Sequence, residues 1–209
     1  MTEAMDLRAY LQISPVVPVL TIHRVEDAVP LAKALVAGGL KVLEVTLRTS
    51  VALEAIKCIA AEVPEATVAA GTVVSAKDLK RAAKAGARFA FSPGLADFML
   101  EEGPIPILPG VATASEVMKA MQSGGSAFKF FPAVPAGGVG ALKALHGPFA
   151  DVVFCPTGGI DAKNAKSFLD LPNVLCVGGS WVAPAKLIEA GDWAAIEALA
   201  RDAAALKKS

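Results

Sequence analysis

The chain has 209 residues, 54% of them hydrophobic and 19% charged, with 20 Lys and Arg balanced by 20 Asp and Glu. That length and composition suit one domain with a sizeable core and exclude a disordered chain. Zero net charge without a basic stripe argues against nucleic acid as a partner, and no run approaches the ~18 apolar residues of a membrane span.

The opening stretch, MTEAMDLRAY, carries Glu3 and Asp6 and lacks the apolar segment of a secretory leader. Residues 3–13 read as an extra helix, within an N-terminal extension over 1–14 that closes the bottom of the fold. Eight short β-branched or aromatic runs follow as candidate strands: 16–20, 41–47, 66–71, 88–92, 105–110, 127–131, 151–155 and 174–179. Ala/Leu/Lys-rich amphipathic stretches separate them. In the first, Val25, Val29, Ala32 and Val36 lie near one face, Pro30 falls in the first turns and Gly38-Gly39 make a stop. The punctuation recurs as AGG-LKVLEV, AGA-RFAF and SGG-SAFKFF, a helix end followed by a strand.

Eight apolar strands, each followed by a helix, imply a parallel sheet covered by helices. A doubly wound dinucleotide fold would show G-x-G-x-x-G after its first strand, but that strand runs into LTIHR. The expected fold is therefore α/β, a single (β/α)8 TIM-barrel domain over residues 1–209. The three cysteines (Cys58, Cys155 and Cys176) lack metal-type spacing and read as reduced thiols of a cytoplasmic protein, Cys155 and Cys176 as core thiols on neighbouring strands. Mean hydropathy is +0.53, which many alanines and a buried subunit interface would explain. His23 and His146 are the only histidines and assemble no zinc site.

Two strands break the apolar rule. In VLEVTLR, Glu44, Thr46 and Arg48 share one face, and Leu43, Val45 and Leu47 share the other. In AFKFF, Lys129 faces opposite to Phe128 and Phe130. If the apolar side chains pack against helices, the charges point inward. A structural ion pair of Glu44 with Lys129 or Arg48 is one reading, but buried pairs are a weak source of stability. The other reading is a site. Desolvation among aromatics disfavours an ammonium, and a neutral amine adds to a carbonyl to form a Schiff base. A carboxylate nearby can move protons, and an arginine can fork onto a substrate carboxylate. These parts describe imine chemistry on a keto acid.

CPTGGI (155–160) and VGGSW (177–181) follow the seventh and eighth strands, where barrels bind phosphate. Paired glycines let backbone N–H groups approach an anion. One such pair could be only a tight turn, whereas two on consecutive strands, one followed by Ser180, favour phosphate.

LVAGGLKVLEVTLRT, AAGTV, FSPG, ILPG, FKFFPA, FCPTGGI and VLCVGGSW occur in this order. On these motifs, from Val16 to Trp181, the chain closely resembles the bacterial 2-keto-3-deoxy-6-phosphogluconate aldolases, a family that also acts on 4-hydroxy-2-oxoglutarate. The resemblance implies a class I, metal-independent aldolase with no cofactor, homotrimeric, in the Entner–Doudoroff pathway. It implies Lys129 as the Schiff-base lysine and Glu44 as general acid/base. It further implies that Arg48 and Thr72 hold the pyruvate carboxylate, that Thr157 handles the hydroxyl-bearing carbon, and that Gly158, Gly159, Gly178, Gly179 and Ser180 bind the phosphate. The expected partners are a keto-acid sugar phosphate and pyruvate. Members of the family often carry an acid where this chain has Val134. The rival readings are a 4-hydroxy-2-oxoglutarate or 2-keto-3-deoxy-6-phosphogalactonate aldolase, a metal-dependent pyruvate lyase, and a non-catalytic phosphate-sugar binding barrel.

Overall fold

The computed structural model describes residues 6–206. A short helix, α1 (Leu7–Leu11), precedes β1 (Val16–Leu20), α2 (Ala28–Ala37), β2 (Val42–Thr46), α3 (Ala52–Glu62), β3 (Thr67–Gly71), α4 (Ala76–Ala85) and β4 (Phe89–Phe91). Then come β5 (Ile107–Leu108), β6 (Gly110–Val111), α5 (Ala114–Met121), β7 (Ala127–Phe130), α6 (Gly138–His146), β8 (Val153–Pro156) and α7 (Ala165–Leu169). The chain finishes with β9 (Val177–Gly179), α8 (Ala185–Ala190) and α9 (Trp193–Ala204). No described helix is long and apolar enough to cross a membrane.

All strand pairs are parallel, in a curled sheet of six strands ordered β5-β4-β3-β2-β1-β9 and a sheet of three ordered β6-β7-β8. This corrects the expectation of eight uninterrupted strands. Pro109, which has no N–H to donate, splits the expected strand over 105–110 into β5 and β6, one in each sheet. The expected helix of the fourth unit is also missing. Between β4 and β5 the only helical turn is the 3-10 turn Asp97–Met99, in a stretch that carries Pro93, Pro104 and Pro106.

Strand alternation divides the core in two. Leu43, Val45, Phe128 and Phe130 join the larger cluster, formed with the buried faces of the helices. Val42, Ala69, Phe89, Phe91, Ala127 and Cys155 form a smaller inner cluster, completed by Tyr10 and Leu11 of α1. Tyr10 stacks on Phe89 with ring centroids 4.7 Å apart. Arg8 donates to the Ser126 hydroxyl at 3.0 Å and to the Asp151 carbonyl, pinning α1 below β7 and β8. Burying a ring the size of Phe89 stabilises by roughly 1.5–3 kcal/mol. The inner face is thus plugged by α1 at the strands' N-terminal ends, within the segment that the sequence reading expected as an extra helix. Residues 3–5 of the expected helix lie outside the described residues.

The glycine punctuation is a hydrogen-bonded stop. At the end of α2, Gly39 adopts φ +97°, the Gly39 N–H donates to Val36 O at 2.9 Å and the Leu40 N–H to Leu35 O at 3.0 Å. Gly86 (φ +101°) ends α4 in the same way. The buried face of α2 is carried by Ala28, Leu31, Ala32 and Leu35, with Val29 and Val36 at its margin. It is therefore rotated from the face read in the sequence, because the helix proper begins at Ala28, after a 3-10 turn over Val25–Asp27.

Helix α5 starts with a capping box: the Thr113 hydroxyl accepts from the Glu116 N–H, and the Glu116 carboxylate accepts from the N–H groups of Ala112 and Thr113. Burial pushes the Glu116 carboxyl up, but these donors outweigh it and hold it below the usual range. Its contribution is therefore full above the ordinary glutamate range and fades as pH falls through the depressed value. Thr113→Ala is expected to cost about 1 kcal/mol, seen as a melting temperature roughly 2–4 °C lower in a thermal scan.

Candidate active site

The inner face carries a buried charged pair. Glu44 is the third residue of β2 and Lys129 the third of β7, and alternation turns both inward. Lys129 Nζ donates to Glu44 Oε1 at 2.9 Å and to Oε2 at 3.2 Å. The two side chains are 6% and 2% exposed. A pair so dry yields little net stability, so its position asks for a chemical reason.

Glu44 reaches that position because of a glycine. A Cβ at Gly71, across the sheet on β3, would fall 2.3 Å from Glu44 Oε1. Gly71→Ala is expected to push the carboxylate off Lys129 and to lower kcat by about ten- to a hundredfold, since placement errors of this size carry such costs. A kcat within twofold of the parent would show that the close approach is dispensable.

The rings against the ammonium are not its sequence neighbours. Phe128 and Phe130 face the helices, while Phe91 of β4 and Phe131, just past β7, lie 5.1 and 5.6 Å from Lys129 Nζ at their centroids. Phe131 was visible in the motif, two residues on from the lysine. Phe91 could have been found by applying the same alternation to RFAFS.

The other expected residues stand at or just beyond the C-terminal ends of their strands. The Leu47 N–H donates to Gly71 O at 2.9 Å, which sets Arg48 and Thr72 at the C-terminal ends of adjacent strands. Arg48 is exposed and forms no ion pair with another described residue. Thr72 is half-buried and holds φ +59°, a left-handed conformation that a β-branched residue adopts only under constraint. Thr157 is buried beyond the end of β8, and its backbone bridges to Gly178 of β9, so the two glycine loops are neighbours. A Cβ at Gly178 would fall 2.2 Å from Thr157 Oγ1, so Gly178 makes room for that hydroxyl. Ala133 and Val134 donate to the carbonyls of Thr157 and Gly158 at 2.8 and 3.0 Å, tying the lysine strand to the same loop. The N–H groups of Gly158, Gly159 and Ser180 find no acceptor on another described residue. Gly179 packs under the Trp181 ring, and Ser180 is exposed at the rim. Among the described residues, no group of three or more His, Cys, Asp or Glu gathers.

A parallel α/β sheet with an amine and a carboxylate paired in its dry interior, opposite a rim of free backbone donors, defines a lysine-dependent lyase site. The model of the KDPG and KHG aldolase family matches residues 7–199, and the chain belongs to that family. It is 56% identical over 198 residues to the 2-dehydro-3-deoxy-phosphogluconate aldolase of Dickeya dadantii (strain 3937), with 93% of each chain covered. A KDPG aldolase structure from Legionella pneumophila, with pyruvate captured as a covalent carbinolamine, superposes with TM-score 0.94 at 46% identity, covering 96% of this chain and 99% of that one. The 2-keto-3-deoxy-6-phosphogluconate aldolase of Zymomonas mobilis ZM4 with 3-phosphoglycerate gives TM-score 0.91 at 49% identity, covering 99% and 98%.

Proposed function

We propose that this chain cleaves 2-keto-3-deoxy-6-phosphogluconate to pyruvate and D-glyceraldehyde 3-phosphate through a Schiff base on Lys129. The observation that carries the reading is the buried contact of 2.9 Å between Lys129 Nζ and Glu44. Moving a proton across it yields a neutral amine and a neutral acid side by side. The amine adds to the keto carbon, Glu44 assists the loss of water, and an iminium forms. Glu44, again a carboxylate, takes the proton of the substrate's 4-hydroxyl. The C3–C4 bond then breaks, its electrons pass to the iminium nitrogen, and the aldehyde leaves. Protonation of the resulting enamine at C3 and addition of water free pyruvate and restore the amine.

Arg48 and Thr72 take the substrate carboxylate in this reading, Arg48 by a forked contact. Thr157 orients the hydroxyl-bearing carbon. Gly158, Gly159, Gly178, Gly179 and Ser180 surround the phosphate, for which the free N–H groups of the loops are suited. The two sheets act as one closed (β/α)8 barrel. Supporting this, Pro109 alone separates β5 from β6, and the bridges Phe154–Val174 and Thr157–Gly178 link β8 to the β9 segment. A cytoplasmic homotrimer, as the resemblance implies, completes the reading, and light scattering of the purified protein measures the assembly.

The test is reductive trapping. Incubation with pyruvate and borohydride is expected to leave an adduct that mass spectrometry places on Lys129, and cleavage without any adduct would overturn the mechanism. The family's second substrate type, 4-hydroxy-2-oxoglutarate, has a carboxylate where the sugar acid has its phosphate-bearing chain. If the glycine loops bind phosphate, KM is expected to be much higher for the unphosphorylated compound. Equal kcat/KM for both would reassign the substrate.

A further inference from the structure

One hydroxyl on the inner side of β1 takes no part in the steps above. β1 lies between β2, which carries Glu44, and β9, which leads into the second glycine loop. Alternation puts Val17 of β1 in the inner cluster and Val16, Leu20 and Ile22 in the outer one, so Thr21, directly after β1, faces inward. Val19 pairs with Glu44 in the parallel register, which sets Thr21 beside Thr46, one step nearer the C-terminal ends of the strands. Thr46 is buried and Thr21 half-buried.

The direction of this hydroxyl is set by its neighbour. Thr46 Oγ1 donates to Leu20 O at 2.8 Å, and a hydroxyl has one proton to give. The contact of 3.2 Å between the Thr21 and Thr46 hydroxyls is therefore made with the proton of Thr21. No described residue donates to Thr21 Oγ1 in return. Thr21 thus turns lone pairs, and no proton, toward the interior. Such an oxygen accepts from a hydroxyl and repels a carboxylate.

In the reaction proposed above, the 4-hydroxyl gives its proton to Glu44 on β2, and the phosphate goes to the loops after β8 and β9. C5 then spans the distance between them, along the inner side of β1. We infer that Thr21 is a specificity-determining residue that accepts a hydrogen bond from the 5-hydroxyl of the sugar-acid substrate, with Thr46 as the positioning residue that orients it. The same lone pairs count against 4-hydroxy-2-oxoglutarate, which has a carboxylate at that carbon. The inference rests on the substrate and mechanism proposed above.

The experiment is a cycle between one protein group and one substrate group. The parent and Thr21→Val are each given 2-keto-3-deoxy-6-phosphogluconate and its 5-deoxy analogue. The parent is expected to favour the hydroxyl-bearing compound in kcat/KM by about five- to tenfold, the scale of one neutral hydrogen bond. In Thr21→Val that preference is expected to shrink to within about twofold, and Thr21→Ser is expected to restore it. The preference for the sugar acid over 4-hydroxy-2-oxoglutarate is expected to fall in Thr21→Val by at least the same factor. A preference for the 5-hydroxyl that survives in Thr21→Val, or equal losses on all three substrates as from a merely structural contact between β1 and β2, overturns the inference. Borohydride trapping of pyruvate, which has no hydroxyl to offer, reports whether each variant keeps its site. Failure of trapping in the parent protein would instead strike the Schiff-base reading.

Discussion

Lys129→Ala is expected to abolish the borohydride-trapped pyruvate adduct and to lower kcat/KM by at least about a thousandfold, the scale on which covalent catalysis is lost with its nucleophile. No other described amine stands in contact with Glu44 on the inner face. The same substitution carries a stability cost for a separate reason. It leaves the Glu44 carboxylate dry and without its cation, which costs about 3 kcal/mol and is expected to lower the melting temperature by roughly 6–12 °C in a chain of this size. Lys129→Met/Glu44→Leu removes both charges and is expected to regain most of that stability while remaining inactive. Cleavage persisting in Lys129→Ala, or a double variant no more stable than the single one, would show that the pair has been misread.

Glu44→Gln separates the proton traffic from the covalent step. The amide keeps the size of the side chain and can still accept from Lys129, so imine formation is slowed but not prevented. Removing a positioned general acid/base costs typically a hundred- to ten-thousandfold, and kcat is expected to fall within that range with KM changed little. Pyruvate should still be trapped on Lys129 after long incubation. A kcat within tenfold of the parent would move the proton-transfer role to another group.

Much of this site was legible in the sequence because the period of a strand is local. Lys129 between Phe128 and Phe130, and Glu44 between Leu43 and Val45, declare their facing within three residues, and the packing agrees. That the two charges meet at 2.9 Å follows from strand order, which one strand's pattern does not contain. Phe91 and Gly71 were missed for the same reason, since each matters only through a residue on another strand. The break at Pro109 was readable from the missing N–H, yet ILPG looks like one apolar run if proline is treated as merely hydrophobic. The bounds of α2 depended on a 3-10 turn at Val25–Asp27, whose tighter winding shifts the buried face relative to a helix begun at Val25.

The helix pinned by Arg8 has a consequence for the order of events. With Tyr10 and Leu11 filling the base of the inner face, the interior is a cul-de-sac. In the proposed mechanism the half of the substrate bonded to Lys129 would sit at its blind end, and the half bearing the phosphate toward the entrance. The aldehyde must therefore depart before the three-carbon fragment is hydrolysed free. Run in the direction of synthesis, the same geometry makes pyruvate the first guest, and an aldehyde that arrives early stands in its way.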